Sequence, residues 1–523
     1  MPHPVDVPHE TAPRRRGTLL PIDLEVVTVT DSSVVITWFT GSATETDAYG
    51  RPAPVPADTE VLLGEPGRRV LRTVLQDPTP TPYHYAEITG LDPDRTYTFE
   101  ARSAGEPAVQ TSLQFPGTRG SIDIPGTFTT LATPPGSYLF TVAVAGDTHI
   151  GENASGIIAA GWPQPFRQDP GLSPYPEVML TAMLSELCCP ARESGPRGRP
   201  PEIPRDASPE RSATPSQANQ GRPDPGTPRE ADPERRPPGI PSGASHPAAL
   251  IIVGDTTAEA APRDVARVRE LLDGLGQLGT DYMVVRGNHD RPHTGTRYAA
   301  GTPVPSAPDH YDCWGDVFPH PRQQLSAYEL GGLRIVGLDT TTLDAAGGTL
   351  DDAQLAELRR LLRDDPYRPT FVFGHHPVTY ESDITTPASP GFILEQAKAR
   401  ELEALYAKAP GVFLHAAGHT HRNKWTSAPD APGTEFLEIA AVKEYPGGYS
   451  LLRLHTGGYL VSYYKTRADL ARRWSQRTRG EYFGIFPHYA FGTIADRNHT
   501  VVRDLSGLRP PPQDRCACRD PAV

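Results

Sequence analysis

The chain has 523 residues and a formal net charge of −13 at pH 7, from 63 acidic and 50 basic side chains. This length allows two or three domains with a sizeable core. Proteins that bind nucleic-acid polymers or membrane surfaces through charge present a basic face to phosphates, so the acidic balance argues against both kinds of partner. It leaves open a small phosphate substrate, which a bound metal ion would attract.

Cysteine usage and hydropathy indicate a cytoplasmic protein. The five cysteines, at 188, 189, 313, 516 and 518, lack the spacing of a disulfide framework, which is typical of a reducing compartment. No apolar run of seven or more residues follows the arginines at 14–16, and no run approaches 18 apolar residues. We therefore expect neither a secretory signal nor a membrane span.

Residues 1–19 are polar and contain prolines, which predicts a loose arm. Residues 20–133 have a β pattern without a helical stretch, and this spacing predicts a sandwich. Trp38 would be a partner or sugar contact in a functional interpretation, but such sandwiches usually bury a tryptophan on a middle strand, which favours a core position. The predicted strands are 24–29, 34–39, 60–63, 83–88 and 97–101.

Strands and helices alternate between residues 137 and 508, which predicts a second domain of the α/β type. The stretch 291–325 is irregular and is expected to form part of a substrate rim. Aromatic residues beyond 480 are expected to pack back on the domain. The predicted helices are 151–160, 175–187, 262–278, 350–362, 393–408 and 468–479, and the predicted strands are 138–145, 249–253, 282–285, 327–330, 334–338, 370–373, 411–417, 435–442 and 449–464.

A proline-rich insertion, residues 190–247, interrupts the second domain. It holds fifteen prolines and no aromatic residue, and its two members of the Val, Ile, Leu and Met set are Ile203 and Ile240. Such a segment cannot bury enough apolar area to offset its ordering entropy, so the composition predicts disorder. Residues 509–523 are predicted to be a tail.

Deleting residues 191–246 is therefore expected to leave folding and turnover of a small substrate nearly unchanged, because the segment contributes almost no core. Thermal unfolding and a turnover assay of the deletion variant check this. A large drop in either the thermal midpoint or turnover would show that the insertion docks on the domain.

Five short polar blocks each follow an apolar run, at the carboxyl end of a predicted buried strand, where open α/β sheets bind their ligands. Their carboxylate, amide and imidazole groups suit Fe, Mn, Zn or Co better than Ca or Mg. Seven ligands exceed the need of one ion with an open position, but suffice for two ions if one carboxylate bridges. The candidates are Asp147, His149, Asp255, Asn288, His375, His419 and His421.

Such a centre would carry positive charge within an acidic protein. Two divalent ions, the two aspartates and one shared hydroxide give a net charge of about +1. The charge would attract a phosphate ester, and the hydroxide would be a ready nucleophile near neutral pH.

The blocks resemble, in order, those of calcineurin-like metallophosphoesterases: Asp-x-His at 147–149, Gly-Asp at 254–255, Gly-Asn-His-Asp at 287–290, Gly-His-x-Pro at 374–377 and Gly-His-x-His at 418–421. The Trp38 strand and the turn at 90–93 resemble fibronectin type III modules and the N-terminal domain of purple acid phosphatases. The resemblance implies an α/β fold in which a metallophosphoesterase β-sandwich is flanked by helices as four α/β/β/α layers, behind an all-β fibronectin III-like sandwich. It also implies hydrolysis of a small phosphate ester by a hydroxide on two divalent or trivalent transition-metal ions, with Fe, Mn or Zn expected.

The resemblance also implies a role for each motif residue. Asp255 would bridge the ions, and His375 rather than His376 would be a ligand because it stands two residues before the proline. His289 would stabilise or protonate the leaving-group oxygen, with Asp290 as a possible orienter. The first ion would be held by Asp147, His149 and His421, and the second by Asn288, His375 and His419.

Two positions depart from the purple acid phosphatase pattern. Ala258 stands where that branch has a tyrosine ligand, so no tyrosinate-to-iron colour is expected. Thr256 and Thr257 replace the acidic or amide residue often found after Gly-Asp-x, which alters the support behind the ligands. His376 remains open between a supporting or substrate-contacting role and a satisfied polar residue.

Two other functions stay open. A phosphodiester substrate, such as a cyclic nucleotide, is the alternative to a monoester, because no motif covers the loops that choose between them. A non-catalytic module, stabilised by metal and recruiting a partner through the first sandwich, would show metal content without hydrolysis.

Overall fold

The computed structural model describes residues 18–67, 70–111, 126–156, 165–188 and 246–512. Most of the arm, the proline-rich insertion and the tail, together with the cysteines at 189, 516 and 518, lie outside these residues. The ends of the insertion lie close together, since His246 Nδ1 donates to the Leu187 carbonyl at 3.1 Å. The limits predicted for the two domains, 20–133 and 137–508, stay predictions.

The first domain is a β-sandwich, as the alternating pattern predicts. One sheet has the order β1-β2-β3 with β6 beside β2, and the other has the order β5-β4-β7-β8 with β9 beside β7. Trp38 packs in the core between them, 3% exposed, and its Nε1 donates to Ser103 Oγ at 2.9 Å. This confirms Trp38 as a core residue. The strands are β1 (Leu19–Val29), β2 (Ser33–Thr46), β3 (Pro52–Pro54), β4 (Ala57–Gly64), β5 (Arg72–Thr81), β6 (Tyr83–Thr89), β7 (Thr96–Ser103), β8 (Glu106–Pro107) and β9 (Gly126–Thr129).

Two mixed sheets form the centre of the second domain. The strand orders are β12-β11-β10-β22-β23-β24 and β16-β17-β18-β19-β21-β20, and within each sheet the strands that carry the motifs are parallel. Their carboxyl ends therefore share one edge of each sheet. The strands are β10 (Tyr138–Ala145), β11 (Ala249–Ile252), β12 (Tyr282–Val284), β16 (Ser326–Leu330), β17 (Leu333–Gly337), β18 (Thr370–Phe373), β19 (Val412–Ala417), β20 (Lys424–Ser427), β21 (Glu435–Glu438), β22 (Gly448–His455), β23 (Gly458–Lys465) and β24 (Asn498–Val502).

Helices cover the outer faces of both sheets. Side chains alternate along a strand, so Val142 and Val144 pack between the sheets while Ala143 and Ala145 face helices. Helices α1, α2 and α7 pack on the first sheet, and α4 and α6 on the second, which confirms the α/β/β/α layers. The helices are α1 (Tyr175–Cys188), α2 (Pro262–Asp273), α3 (Cys313–Val317), α4 (Asp352–Asp364), α5 (Tyr380–Thr385), α6 (Gln396–Ala407), α7 (Asp469–Thr478), α8 (Phe486–Ala490) and α9 (Ile494–Arg497).

The structure corrects several local predictions. Residues 151–156 are a turn with an isolated bridge and not a helix, and residues 157–160 lie outside the described part. Helix α2 ends at Asp273 because Gly274 and the left-handed Gly276 follow it. The stretch 291–325 contains a small sheet of β13 (His293–Thr294), β14 (Thr302–Val304) and β15 (Ala307–Asp312). Within the described ranges, no helix has both the length and the apolar character needed to cross a bilayer.

The first sandwich contacts the second domain through buried charges. Glu25 on β1 accepts a hydrogen bond from Tyr445 Oη at 2.6 Å and pairs with Lys465 and, at 3.0 Å, with Arg479. Arg497 donates to the backbone carbonyls of β1. Removing one partner of such a buried pair would leave an uncompensated charge, which disfavours separation of the contacting surfaces.

Candidate metal centre

All seven predicted ligands lie in the loops that follow β10, β11, β12, β18 and β19. Asp255 Oδ2 lies 3.5 Å from His149 Nε2 and 3.2 Å from His375 Nε2. His375 Nε2 also lies 3.0 Å from Asn288 Oδ1. Asp255 therefore stands between side chains expected to hold different ions.

Asp147 contacts the two histidines that follow β19. Its Oδ1 lies 3.3 Å from His421 Nε2 and accepts a hydrogen bond from the His419 backbone N–H at 3.0 Å. Ligand atoms lie within 4.8 Å of one another in the group Asp147, His149 and His421 and in the group Asp147, Asp255 and His375. The structure thus brings the predicted residues together, while the assignment of each to one ion stays a prediction.

The backbone at the centre is held in an unusual conformation. Left-handed φ values, which cost roughly 1–3 kcal/mol for a residue other than glycine, cluster here. A Cβ on Gly287 would lie 2.2 Å from Asp255 Oδ1, and one on Gly418 would lie 2.5 Å from Asp147 Oδ2. These contacts explain why glycine is needed in the motifs. The left-handed residues are Asp147 at 54°, His149 at 47°, Asp255 at 48°, His419 at 69° and His421 at 54°.

Carboxylates orient the two imidazoles of the first predicted set. His149 Nδ1 lies 3.1 Å from Glu152 Oε2, and His421 Nδ1 lies 2.7 Å from Glu444 Oε1. A carboxylate behind a histidine fixes its ring and tautomer and raises its basicity as a ligand. Neither glutamate was predicted from the sequence, although Glu152 stands only three residues after His149 in the same turn.

Backbone carbonyls orient the imidazoles of the second predicted set. His375 Nδ1 donates to the Val253 carbonyl at 2.9 Å, and His419 Nε2 donates to the Phe392 carbonyl at 2.6 Å. The Phe392 ring also stacks on His419, with centroids 3.9 Å apart. Each ring therefore keeps one nitrogen for a ligand role.

His376 is a satisfied polar residue. It is fully buried, its Nδ1 contacts Thr340 Oγ1 at 2.7 Å, and its Nε2 donates to the Ala346 carbonyl at 2.8 Å. Because both ring nitrogens have partners within the protein, the structure favours the satisfied polar residue over a substrate contact.

Asp290 does not orient His289, which corrects that expectation. Its carboxylate accepts hydrogen bonds from the backbone N–H and hydroxyl groups of both Thr256 and Thr257 at 2.7–2.9 Å. The Nδ1–H of His289 instead donates to the Ala258 carbonyl at 2.7 Å. Asp290 therefore holds the loop after Asp255 in place through the two threonines that follow Asp255.

Charges and burial at the centre shift the pKa values of its histidines in different directions. Burial lowers the pKa of His375, but the Asp255 carboxylate outweighs it and raises that pKa to about 9. Burial is likewise outweighed at His421, where Asp147 and Glu444 raise the pKa to about 10. Burial and the Lys443 charge lower the pKa of His149 to about 4. Without metal, His375 and His421 thus carry protons at neutral pH, and His149 does not.

The residues present fit transition-metal ions. The Nε2 atom of His149 is buried, and no hydrogen-bond partner exists for it among the described residues. An unpartnered buried nitrogen is costly unless something such as a metal ion satisfies it. Neutral imidazoles, an amide oxygen and two carboxylates match the ligand preferences of Fe, Mn and Zn.

Loading the metal-free protein is expected to release about two protons per chain from imidazoles at about pH 7.5, because a ligating imidazole must be neutral, and ionisation of a metal-bound water adds to this number. The protons come from His375 and His421, whose raised pKa values keep them charged below about pH 9. The apparent metal affinity should consequently rise with pH between about 7 and 9. Calorimetry with Zn²⁺ in buffers of different ionisation enthalpy measures the release, and release of less than one proton would contradict this account.

Comparison with known proteins finds a family model and relatives that match part of the chain. A model of the calcineurin-like phosphoesterase family matches residues 236–423, which include every predicted ligand except Asp147 and His149. Two curated relatives, each described as a probable cyclic nucleotide phosphodiesterase, are 27% identical to the chain. The match to the Synechococcus protein covers 34% of this chain and 58% of the relative, and the match to the Rhodococcus erythropolis protein covers 27% and 42%. The chain therefore spans about half the length of these relatives.

Among solved structures, a dimetal phosphatase from Danio rerio is 12% identical, over 62% of this chain and 96% of its own. Its TM-score of 0.36 is too low to establish a common fold. The family match and the ordered motifs carry the similarity instead. Over residues 236–423 the chain is similar to calcineurin-like phosphoesterases.

Proposed function

We propose that this protein is a hydrolase that cleaves a small phosphate ester at a centre of two metal ions. The observation that carries the proposal is the position of Asp255, whose Oδ2 lies within 3.5 Å of His149 Nε2 and His375 Nε2. One carboxylate shared by two sets of nitrogen and oxygen donors is the arrangement that two ions require. Fe, Mn and Zn are the proposed metals, from the chemistry of the donors.

The bound ions and Asp255 would have different roles at this centre. Two bound ions would supply an activated water as nucleophile and positive charge for the phosphate. Asp255 holds negative charge between the two ligand sets, and its Oδ1 accepts the His289 backbone N–H at 2.8 Å. This hydrogen bond fixes the backbone that carries His289 beside the centre.

His289 is the proposed proton donor to the leaving oxygen. It is half-buried, and one of its ring nitrogens lies within 4.8 Å of ligand atoms of His149 and Asp255. Since Nδ1–H donates to the Ala258 carbonyl, the imidazolium form keeps its Nε2–H for an oxygen of the substrate. A proton placed there assists departure of a poor leaving group.

Phosphodiesters, cyclic nucleotides included, are the first substrates that we propose to test. The two curated relatives are named for that activity, and the acidic chain favours a small ester over a nucleic-acid polymer or a membrane lipid. Monoesters form the second class. No direct contact among the described residues discriminates the two.

A substrate panel tests the function. Protein loaded with Mn²⁺, Fe²⁺ or Zn²⁺ is assayed with nitrophenyl phosphate, bis(nitrophenyl) phosphate and cyclic AMP, and hydrolysis of at least one above a chelator-treated control is expected. Protein with two ions per chain and no hydrolysis of any ester would support the non-catalytic metal-stabilised module instead.

A further inference from the structure

A buried lysine lies behind the metal centre, between two glutamates. Lys443 is 6% exposed, and its Nζ lies 2.8 Å from both carboxylate oxygens of Glu152. The same Nζ lies 3.4 Å from Glu444 Oε2. One ammonium group thus joins two carboxylates that come from distant parts of the chain.

Both glutamates contact imidazoles of the first predicted ligand set. Glu152 contacts His149 Nδ1, and Glu444 contacts His421 Nδ1, while the Nε2 atoms of both rings face aspartates of the centre. Lys443 is therefore separated from each of these histidines by a single carboxylate. The second set has no such link among the described residues, because Val253 and Phe392 carbonyls orient His375 and His419.

The segment that carries Lys443 is held firmly on both sides. Trp474 Nε1 on α7 donates to the Lys443 carbonyl at 2.7 Å, and the Tyr445 N–H donates to Thr478 Oγ1 at 2.9 Å. Tyr445 Oη donates to Glu25 of the first sandwich. Buried carboxylates without this fixed positive charge would repel each other or take up protons, and either change would turn the imidazoles from their ligand positions.

We propose that Lys443 is a positioning residue for the first metal ion, acting through Glu152 and Glu444 on His149 and His421. This inference rests on the proposed dinuclear function and deepens it. Partners behind a metal-ligating histidine change metal affinity by about 10–100-fold when they are removed. Lys443→Met should therefore lower the affinity for one ion by about 10–100-fold and leave the affinity for the other ion near the wild-type value.

Metal binding without turnover tests this inference. Metal-free protein is titrated with Co²⁺ against a chelator, and the visible spectrum and the number of bound ions are recorded. Wild type should bind two Co²⁺ ions, and Lys443→Met should keep one of them. The visible spectrum of Lys443→Met should match that of His421→Ala, a variant that lacks a predicted ligand of the first ion. Lys443→Arg should restore part of the lost affinity because it keeps the charge. Glu152→Gln should lower the affinity for the same ion. If Lys443→Met does not fold, this variant tests whether Glu152 connects Lys443 to His149.

Lys465→Met is the matched control. Lys465 is also largely buried and paired with a glutamate, Glu25, but it lies at the contact with the first sandwich. This variant should lose thermal stability and keep both ions. Two ions at wild-type affinity in Lys443→Met, or an equal loss in Lys465→Met, would overturn the inference. Wild type that binds no ion would instead contradict the proposed function itself.

Discussion

Asp255→Asn is expected to lose both metal ions and, with them, nearly all hydrolysis. The residue is 1% exposed, and its Oδ2 faces both His149 and His375. Burial opposes its ionisation, but His375 and the other nearby imidazoles hold its pKa well below the ordinary value, so the native group is a charge that asparagine cannot replace. Elemental analysis and the ester panel measure the two losses.

Asp339→Asn controls for the general loss of a buried aspartate. Asp339 is 6% exposed and accepts hydrogen bonds from Thr341 and Gln323. Neither Asp339 nor these two partners are predicted ligands. Its variant should lose some thermal stability and keep its metal. Full metal occupancy in Asp255→Asn would show that this carboxylate does not bridge two ions.

His289→Ala is expected to slow hydrolysis by an amount that depends on the leaving group. A nitrophenolate leaves well unaided, whereas an alkoxide with a much higher pKa needs a proton or a strong hydrogen bond. The loss should be roughly 10²-fold or more on an alkyl phosphate ester, and clearly smaller on the nitrophenyl ester. The metal content should stay near wild type, since Asn288 and not His289 is the predicted ligand.

His289→Gln separates proton transfer from hydrogen bonding, because an amide can donate a hydrogen bond but not a proton. It should recover little of the rate on the alkyl ester. Equal losses on both esters in His289→Ala, with metal retained and chemistry rate-limiting, would leave His289 as a binding residue only.

Local patterns in the sequence predicted the alternation of strands and helices and the residues of the centre, while the four layers came from the family resemblance. Apolar runs that end in glycine predict buried strands, and the polar block after each run marks its carboxyl end. Parallel pairing of β10 with β11 and of β18 with β19 then brings the blocks of each sheet to one edge, and packing of the two sheets joins the two edges. The intervening insertion does not disturb this logic, since its two ends lie close together.

The supporting residues could not be found in the same way. Lys443 and Glu444 belong to no spaced motif, and they reach the centre only because the loop after β21 passes behind it. The partner of His289 is a backbone carbonyl, which every residue possesses, so no side-chain pattern distinguishes Ala258. Docking of the first sandwich through Glu25 likewise depends on tertiary contacts and leaves no periodic trace in the sequence.

Stepwise metal reconstitution tests the central claim most directly. Metal-free protein is titrated with Mn²⁺ or Zn²⁺ while bound metal and hydrolysis of bis(nitrophenyl) phosphate are measured on the same samples. A centre of two ions around Asp255 predicts that activity rises steeply only as occupancy passes from one to two ions per chain. Full activity at one ion per chain, or activity that persists without metal, would contradict a dinuclear phosphoesterase.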